Sequence, residues 1–251
     1  MKSMTNRKQI TAEILIVLAL SLGASAIYSI VSLIAKLTAK AGLAGQTTLI
    51  NGSMASREWL DATYQLLSIT FGLAPVALAL YLIWQSDGQP FKRIGLQLEK
   101  PQFWASRGLL LAAAIGIPGL GLYVVSRLLG LSSKIVPAEL PDYWWAVPIL
   151  LLAAVKAGLL EEVLIVGYLF DRLTKLGVSD RSQILISAAI RGSYHLYQGF
   201  GGFIGNFVMG LVFGWAYKKW GKVMPLVFAH FILDAVSFVG YALIGNNLQL
   251  P

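Results

Sequence analysis

Residues Tyr143–Leu173 read YWWAVPILLLAAVKAGLLEEVLIVGYLFDRL. A helix gains 1.5 Å per residue, so this stretch is long enough to cross the ~30 Å hydrocarbon core of a bilayer. Its interior nevertheless carries Lys156 and the adjacent pair Glu161 and Glu162. Ionisable groups are costly in hydrocarbon, so each one inside such a run is a candidate for function.

The rest of the chain fits that solvent. Of its 251 residues, 57% are hydrophobic and 13% charged, against about 25% charged in a soluble domain. Apolar runs at Ile10–Leu37, Thr63–Trp84, Gly108–Leu129, Ile184–Gln198, Gly202–Tyr217 and Val223–Ile244 join Tyr143–Leu173. The expectation is an all-α polytopic transmembrane helix bundle of about seven spans (six to eight). No hydrophilic stretch is long enough to fold separately, so residues 1–251 are read as a single integral membrane domain. The fifth and sixth runs are short, and Gly199, Gly201 and Gly202 between them suit a tight hairpin. Pro75, Pro118 and Pro148 are tolerated where neighbouring helices satisfy freed carbonyls. The pairs Gly201/Gly205 and Gly210/Gly214 suit close helix packing.

Charge gives the orientation. With the N-terminus inside, 13 of the 20 Lys and Arg residues fall in inner segments, 5 (Lys36, Lys40, Arg57, Arg127, Lys134) in outer ones, and Lys156 and Arg191 within spans. The positive-inside rule then favours N-in. The net charge of +8 is explained by this bias, so no nucleic-acid partner is expected; membrane lipid is. The absence of cysteine removes thiol nucleophiles and thiolate metal sites. Ala24-Ser25-Ala26 looks like a signal cleavage site, but the apolar run continues to Leu37, so an uncleaved span is expected. Asn51-Gly52-Ser53 is read as an Asn-Gly turn ahead of a glycosylation sequon.

Both histidines of the chain, His195 and His230, fall in spans, with Arg191 and Asp234 beside them. Depth tests whether they meet. Counted along their helices from the inner face, Glu161, Glu162, His195 and Asp234 lie ~17 Å up and His230 ~11 Å up. His230 and Asp234, four apart, share a face, as do Arg191 and His195. Glu161 and Glu162 diverge by ~100°, so one is expected at a water site and the other paired with Arg191 or Lys156. A carboxylate in a dry pocket can act as general base, a histidine can hold the proton, and a second histidine with a polar neighbour can serve an oxyanion. Ser187 and Ser193 lack a Gly-x-Ser-x-Gly context for a nucleophile. Lys156 is read as an ion-pair partner or cavity-lining side chain, and Asp171 and Arg172 as interfacial.

These residues resemble the CPBP family, the CAAX-protease and bacteriocin-processing (Abi) intramembrane endopeptidases, over residues 159–234. Glu161-Glu162-Val163-Leu164-Ile165-Val166 is similar to its Glu-Glu-x-x-x-Arg motif. Arg191-Gly192-Ser193-Tyr194-His195 is similar to its second motif, and His230-Phe231-Ile232-Leu233-Asp234 to its His-x-x-x-Asn/Asp. The resemblance implies a metal-independent glutamate endopeptidase in a bacterial plasma membrane. It needs no cofactor, acts on a peptide or protein substrate, and has its pocket open toward the cytoplasm. Carried over, Glu161 activates water, His195 assists, His230 and Asp234 form the oxyanion hole, and Glu162 supports them. Arg191, Tyr194 and Lys156 are expected to bind substrate or support the site. Val166 stands where the motif has arginine, and Arg191 on the facing helix can substitute. An ionised Asp234 cannot donate to an oxyanion; it must be protonated or orient His230. The competing readings are a non-catalytic bacteriocin-immunity or scaffold protein, a zinc protease, and an ion-coupled transporter. Neither the substrate nor the oligomeric state follows from the sequence.

Overall fold

A computed structural model describes residues 2–244. The chain forms α1 (Lys2–Ala19), α2 (Leu22–Thr38), β1 (Thr47–Gly52), α3 (Glu58–Gly72), α4 (Ala74–Asp87), α5 (Pro90–Ile94) and α6 (Pro101–Leu128). It continues with β2 (Lys134–Glu139), α7 (Ala146–Glu161), a π-helical segment (Glu162–Tyr168), α8 (Leu169–Lys175), α9 (Asp180–Tyr194), a 3₁₀ turn (Leu196–Gln198), α10 (Phe200–Trp220) and α11 (Met224–Ile244). The architecture is an all-α bundle, as the apolar periodicity requires. The π-helical segment is wholly buried at its centre. Around it pack α4, α9, α10 and α11.

Among the described residues, four helical stretches are long and apolar enough to cross a membrane: Glu58–Asp87, Pro101–Leu128, Phe200–Trp220 and Met224–Leu243. The first is interrupted at Leu73, ahead of Pro75, which has no N–H to continue the ladder. A fifth comes from Arg7–Ala19 and Leu22–Thr38, bent by 51°. The two remaining sequence runs carry Glu161, Glu162, Arg191 and His195, while His230 and Asp234 lie on Met224–Leu243. Ala146–Lys175 is divided by the π-helical segment, and α9 has 15 residues, ~22 Å of helix.

Glycine sets two close approaches that matter for the centre. A Cβ on Gly158 would stand 2.9 Å from the Val227 carbonyl, so α7 and α11 meet backbone to backbone. Gly199, at φ +107°, bends the chain after α9 onto Leu131 and Ser132, where a Cβ would stand 2.6 Å from the Leu131 carbonyl. Gly210 and Gly214 are buried against Ala188 and Ile184 of α9, the packing role their spacing suggested.

One local expectation is corrected. Asn51-Gly52 is not a turn. It ends β1, which pairs in parallel with β2, and the Asn51 amide donates to the Pro137 carbonyl at 2.9 Å. Asp171 and Arg172, read as interfacial, are buried within the protein. Arg172, 2% exposed, donates to Glu13 (3.0 Å), Asp171 (2.7 Å) and Ser86 (3.2 Å) and lies over the Tyr168 ring. Asp171 also accepts from Arg93 at 2.7 Å and pairs with Lys175 at 3.1 Å; Lys175 reaches Asp87 at 2.6 Å. The Asp171 carboxylate holds the Arg93 guanidinium above its ordinary pKa. This network ties α1, α4, α5 and α8 together at the end where the basic loops gather.

Candidate active site

Glu161 closes α7, and Glu162 opens the π-helical segment. Arg191 of α9, fully buried, spans the two carboxylates. One arm donates to Glu161 Oε2 at 3.2 Å and the other to Glu162 Oε1 at 2.7 Å. Its guanidinium also sits 5.6 Å from the centre of the Phe213 ring. The sequence expectation divided the glutamates between two tasks; the forked guanidinium holds both, as its planar donors permit. Val166, at the motif position for arginine, is completely buried among apolar side chains of the core. The cation therefore comes from α9.

Glu161 Oε2 is a point of convergence. It accepts from Tyr194 Oη at 2.7 Å and from Arg191 at 3.2 Å, and lies 3.8 Å from His195 Nε2 and 3.9 Å from His230 Nε2. These groups come from two helices other than its own. On the far side, Glu162 Oε1 meets His230 Nδ1 at 2.7 Å, and His230 Nε2 lies 3.5 Å from Asp234 Oδ2. The spacing of four residues between His230 and Asp234 gives this last contact directly.

The site has a closed side and an open side. Glu162 and Arg191 are fully buried, while the side chains of Glu161, His195 and Asp234 are 12%, 15% and 22% exposed. Of the buried side-chain atoms without a hydrogen-bond partner among the described residues, four lie here: Glu162 Oε2 and Arg191 Nε on the closed side, and both ring nitrogens of His195 on the open side. Buried polar atoms are almost always bonded, so the His195 nitrogens are the ones left for a reacting molecule to meet.

Tyr194 and Arg191 reach the glutamates from the last turn of α9, and His195 follows as its C-cap rather than inside the helix. Lys156 makes no direct bond to the glutamates, though its charge is near enough to act on Asp234. Its chain packs on Gly72 of α3, and it makes no hydrogen bond or ion pair among the described residues. Two neighbours lay outside the sequence reading. Tyr197 stacks near His195, with ring centres 6.2 Å apart and planes at 25°, and Lys36, read only as an outer-segment lysine, reaches the Tyr197 carbonyl. No short motif marks either one.

Glu161, Glu162 and His230 are the one trio among the described residues with metal-ligand spacing, their donor atoms lying within 4.8 Å of one another. Arg191 already supplies a positive charge to both carboxylates, and His230 Nδ1 is engaged by Glu162, while Glu162 Oε2 has no partner among the described residues.

Residues 143–236 match the family model described as type II CAAX prenyl endopeptidase Rce1-like. No curated protein and no solved structure matches the chain significantly. The matched segment contains every group that converges on the two glutamates. The match covers well under half of the chain.

Proposed function

We propose that this chain, whose residues 143–236 carry an Rce1-like endopeptidase domain, hydrolyses a peptide bond within the membrane with a water activated by Glu161. The observation that carries the reading is the convergence of Tyr194, Arg191, His195 and His230 on the single oxygen Glu161 Oε2. Of the two carboxylates, Glu161 stands at the open side, and Glu162 is sealed behind it.

The roles follow from the bonds. Arg191 and Tyr194 fix the Glu161 carboxylate, and its remaining capacity accepts a proton from water. The hydroxide adds to the scissile carbonyl carbon. The C–N bond then breaks, and the proton held by Glu161 passes to the leaving nitrogen. His195 lies within reach to hand that proton on. Glu162 accepts from His230 Nδ1–H, which turns Nε2 toward Asp234 and the open side. The imidazolium form, flanked by Glu162 and Asp234, presents Nε2–H to the oxyanion. Asp234 then needs no proton of its own; it serves by orienting His230.

The reaction so drawn needs no metal, because Arg191 occupies the place of positive charge between the glutamates. A chelator should leave cleavage unchanged; loss restored by zinc would favour the Glu161/Glu162/His230 trio as a metal site instead. Entry from the cytoplasmic side belongs to the same reading. The α5 turn, where Ile94 is buried against Gly167 of the π-helical segment, is the place to test it. Crosslinking that turn to the α10–α11 turn through Gln97 and Lys222, whose side chains meet at 2.9 Å, should abolish cleavage. Undiminished cleavage would place entry elsewhere.

The deciding experiment compares peptide termini in membranes carrying the native chain or Glu161→Gln. Fragments present only with the native chain give substrate and activity together. Identical fragment sets with full biological function of the variant would favour a non-catalytic role.

A further inference from the structure

Lys36 enters a polar cluster that the reaction above does not use. Its ammonium donates to the Tyr197 carbonyl at 2.5 Å, to the Thr48 hydroxyl, and to the Ser133 hydroxyl at 3.5 Å. Those two hydroxyls share a hydrogen bond of 2.6 Å, and Ser133 N–H donates to the Gln198 carbonyl at 3.1 Å. No carboxylate pairs with this amine among the described residues. A lysine near the end of a span ordinarily extends toward the interface. This one turns inward onto neutral acceptors, an arrangement that costs free energy unless something is gained by it.

What it holds is the turn that carries His195. Neither ring nitrogen of His195 has a hydrogen-bond partner. Its ring is placed by its backbone and by its aromatic neighbours, Tyr194 at 4.8 Å and Tyr197 at 6.2 Å between ring centres. The backbone on both sides is gripped by α2. Ser29 Oγ donates to the Tyr194 carbonyl at 2.8 Å, and Lys36 to the Tyr197 carbonyl. Lys36 is joined there by Thr48 of β1, whose hydroxyl donates to the same Tyr197 carbonyl at 3.4 Å, and it links Thr48 with Ser133 just ahead of β2.

We infer that Lys36 is a positioning residue for His195: through the Tyr197 carbonyl it sets the ring against Glu161, and α2 with the two-stranded sheet forms the frame that holds it. The inference rests on the reading of Glu161 and His195 given above. It assigns a task in the reaction to a part of the chain outside the matched segment 143–236.

The chain has no cysteine, so Lys36→Cys can be alkylated at one place in the detergent-purified protein. Cleavage is followed with a quenched reporter peptide built on the fragment that Glu161→Gln fails to produce. Lys36→Cys is expected to lower kcat ~10-fold or more with KM within about twofold, since small misplacements of a catalytic group carry such losses. Aminoethylation, which rebuilds an amine of lysine length, should recover most of kcat; capping with a neutral ethyl group should not. A role confined to stability would lower Tm and the active fraction and would not separate the two alkylations. Native kcat in Lys36→Cys, or equal recovery with the neutral cap, overturns the inference. If that variant does not accumulate, Thr48→Val carries the test. A kcat reduced about threefold at unchanged KM supports the inference, and a native kcat overturns it. Glu161→Gln, run alongside, separates the two claims: its full activity would remove the reading of the site, whereas an inactive Glu161→Gln beside a native Lys36→Cys removes only the role of Lys36.

Discussion

Two buried clusters of charge stand in this bundle, and they are built on different rules. The cluster around Arg172 sets three cations, Arg172, Arg93 and Lys175, against three anions, Glu13, Asp171 and Asp87, all in direct ion pairs. The cluster around Arg191 sets one permanent cation against three carboxylates, Glu161, Glu162 and Asp234, with two histidines among them. The first closes its valences and ties helices together. The second leaves four polar atoms without partners among the described residues and sets two imidazoles among its carboxylates. Burial and charge alone do not mark a reaction site; incomplete pairing at a partly open edge does.

The contrast breaks if the two clusters respond alike to substitution. Glu161→Gln should show the largest effect, a loss of ~10³-fold in kcat with a nearly native Tm, read with the reporter peptide. A small loss of activity would move the base elsewhere. Arg172→Met should do the reverse. It leaves Asp171 buried beside fewer partners, and should cost ~3 kcal/mol of stability in denaturant unfolding while kcat per folded molecule stays native. Loss of kcat in the folded fraction would make that cluster part of the site. His195→Asn should lower kcat ~10²-fold at unchanged Tm, because the ring carries no structural hydrogen bond to lose. A fall in Tm there would mean the ring supports the fold. Asp87→Asn should have the smallest effect, ~1 kcal/mol or less, because both Asp87 and its partner Lys175 are about a quarter exposed, at 28% and 24%.

The groups of the centre were legible because the sequence carries almost no other charge in its apolar runs. Glu161, Glu162, His195, His230 and Asp234 could be placed at similar depth from helical rise alone, and Arg191 on the face of His195. The ties of Arg172 were not legible. It lies at the end of a run, where a basic residue ordinarily faces the interface, and its partner Glu13 is far away in the chain. Lys36 was hidden for the same reason. The two strands escaped because a short parallel pair inside polar connections has no period of its own. Glu161 and Glu162 were expected to diverge by the angle of an α-helix. What joins them is a forked side chain from another helix, which depends on how α7 and α9 come together and is written in neither segment alone.

The π-helical segment Glu162–Tyr168 has a further consequence. Its wider turns take up one residue more than α-helical geometry would over the same rise. The extra residue is absorbed inside the segment, so the helix after it keeps nearly the phase it would have without that residue. Tightening the segment to plain α-helix at the same length would instead swing Asp171 and Arg172 by ~100° relative to Glu161. The glutamates would keep their neighbours on one side, and the charge-balanced knot at the basic end would lose its alignment with Glu13. Those wide turns are the gear that lets one rod serve both clusters.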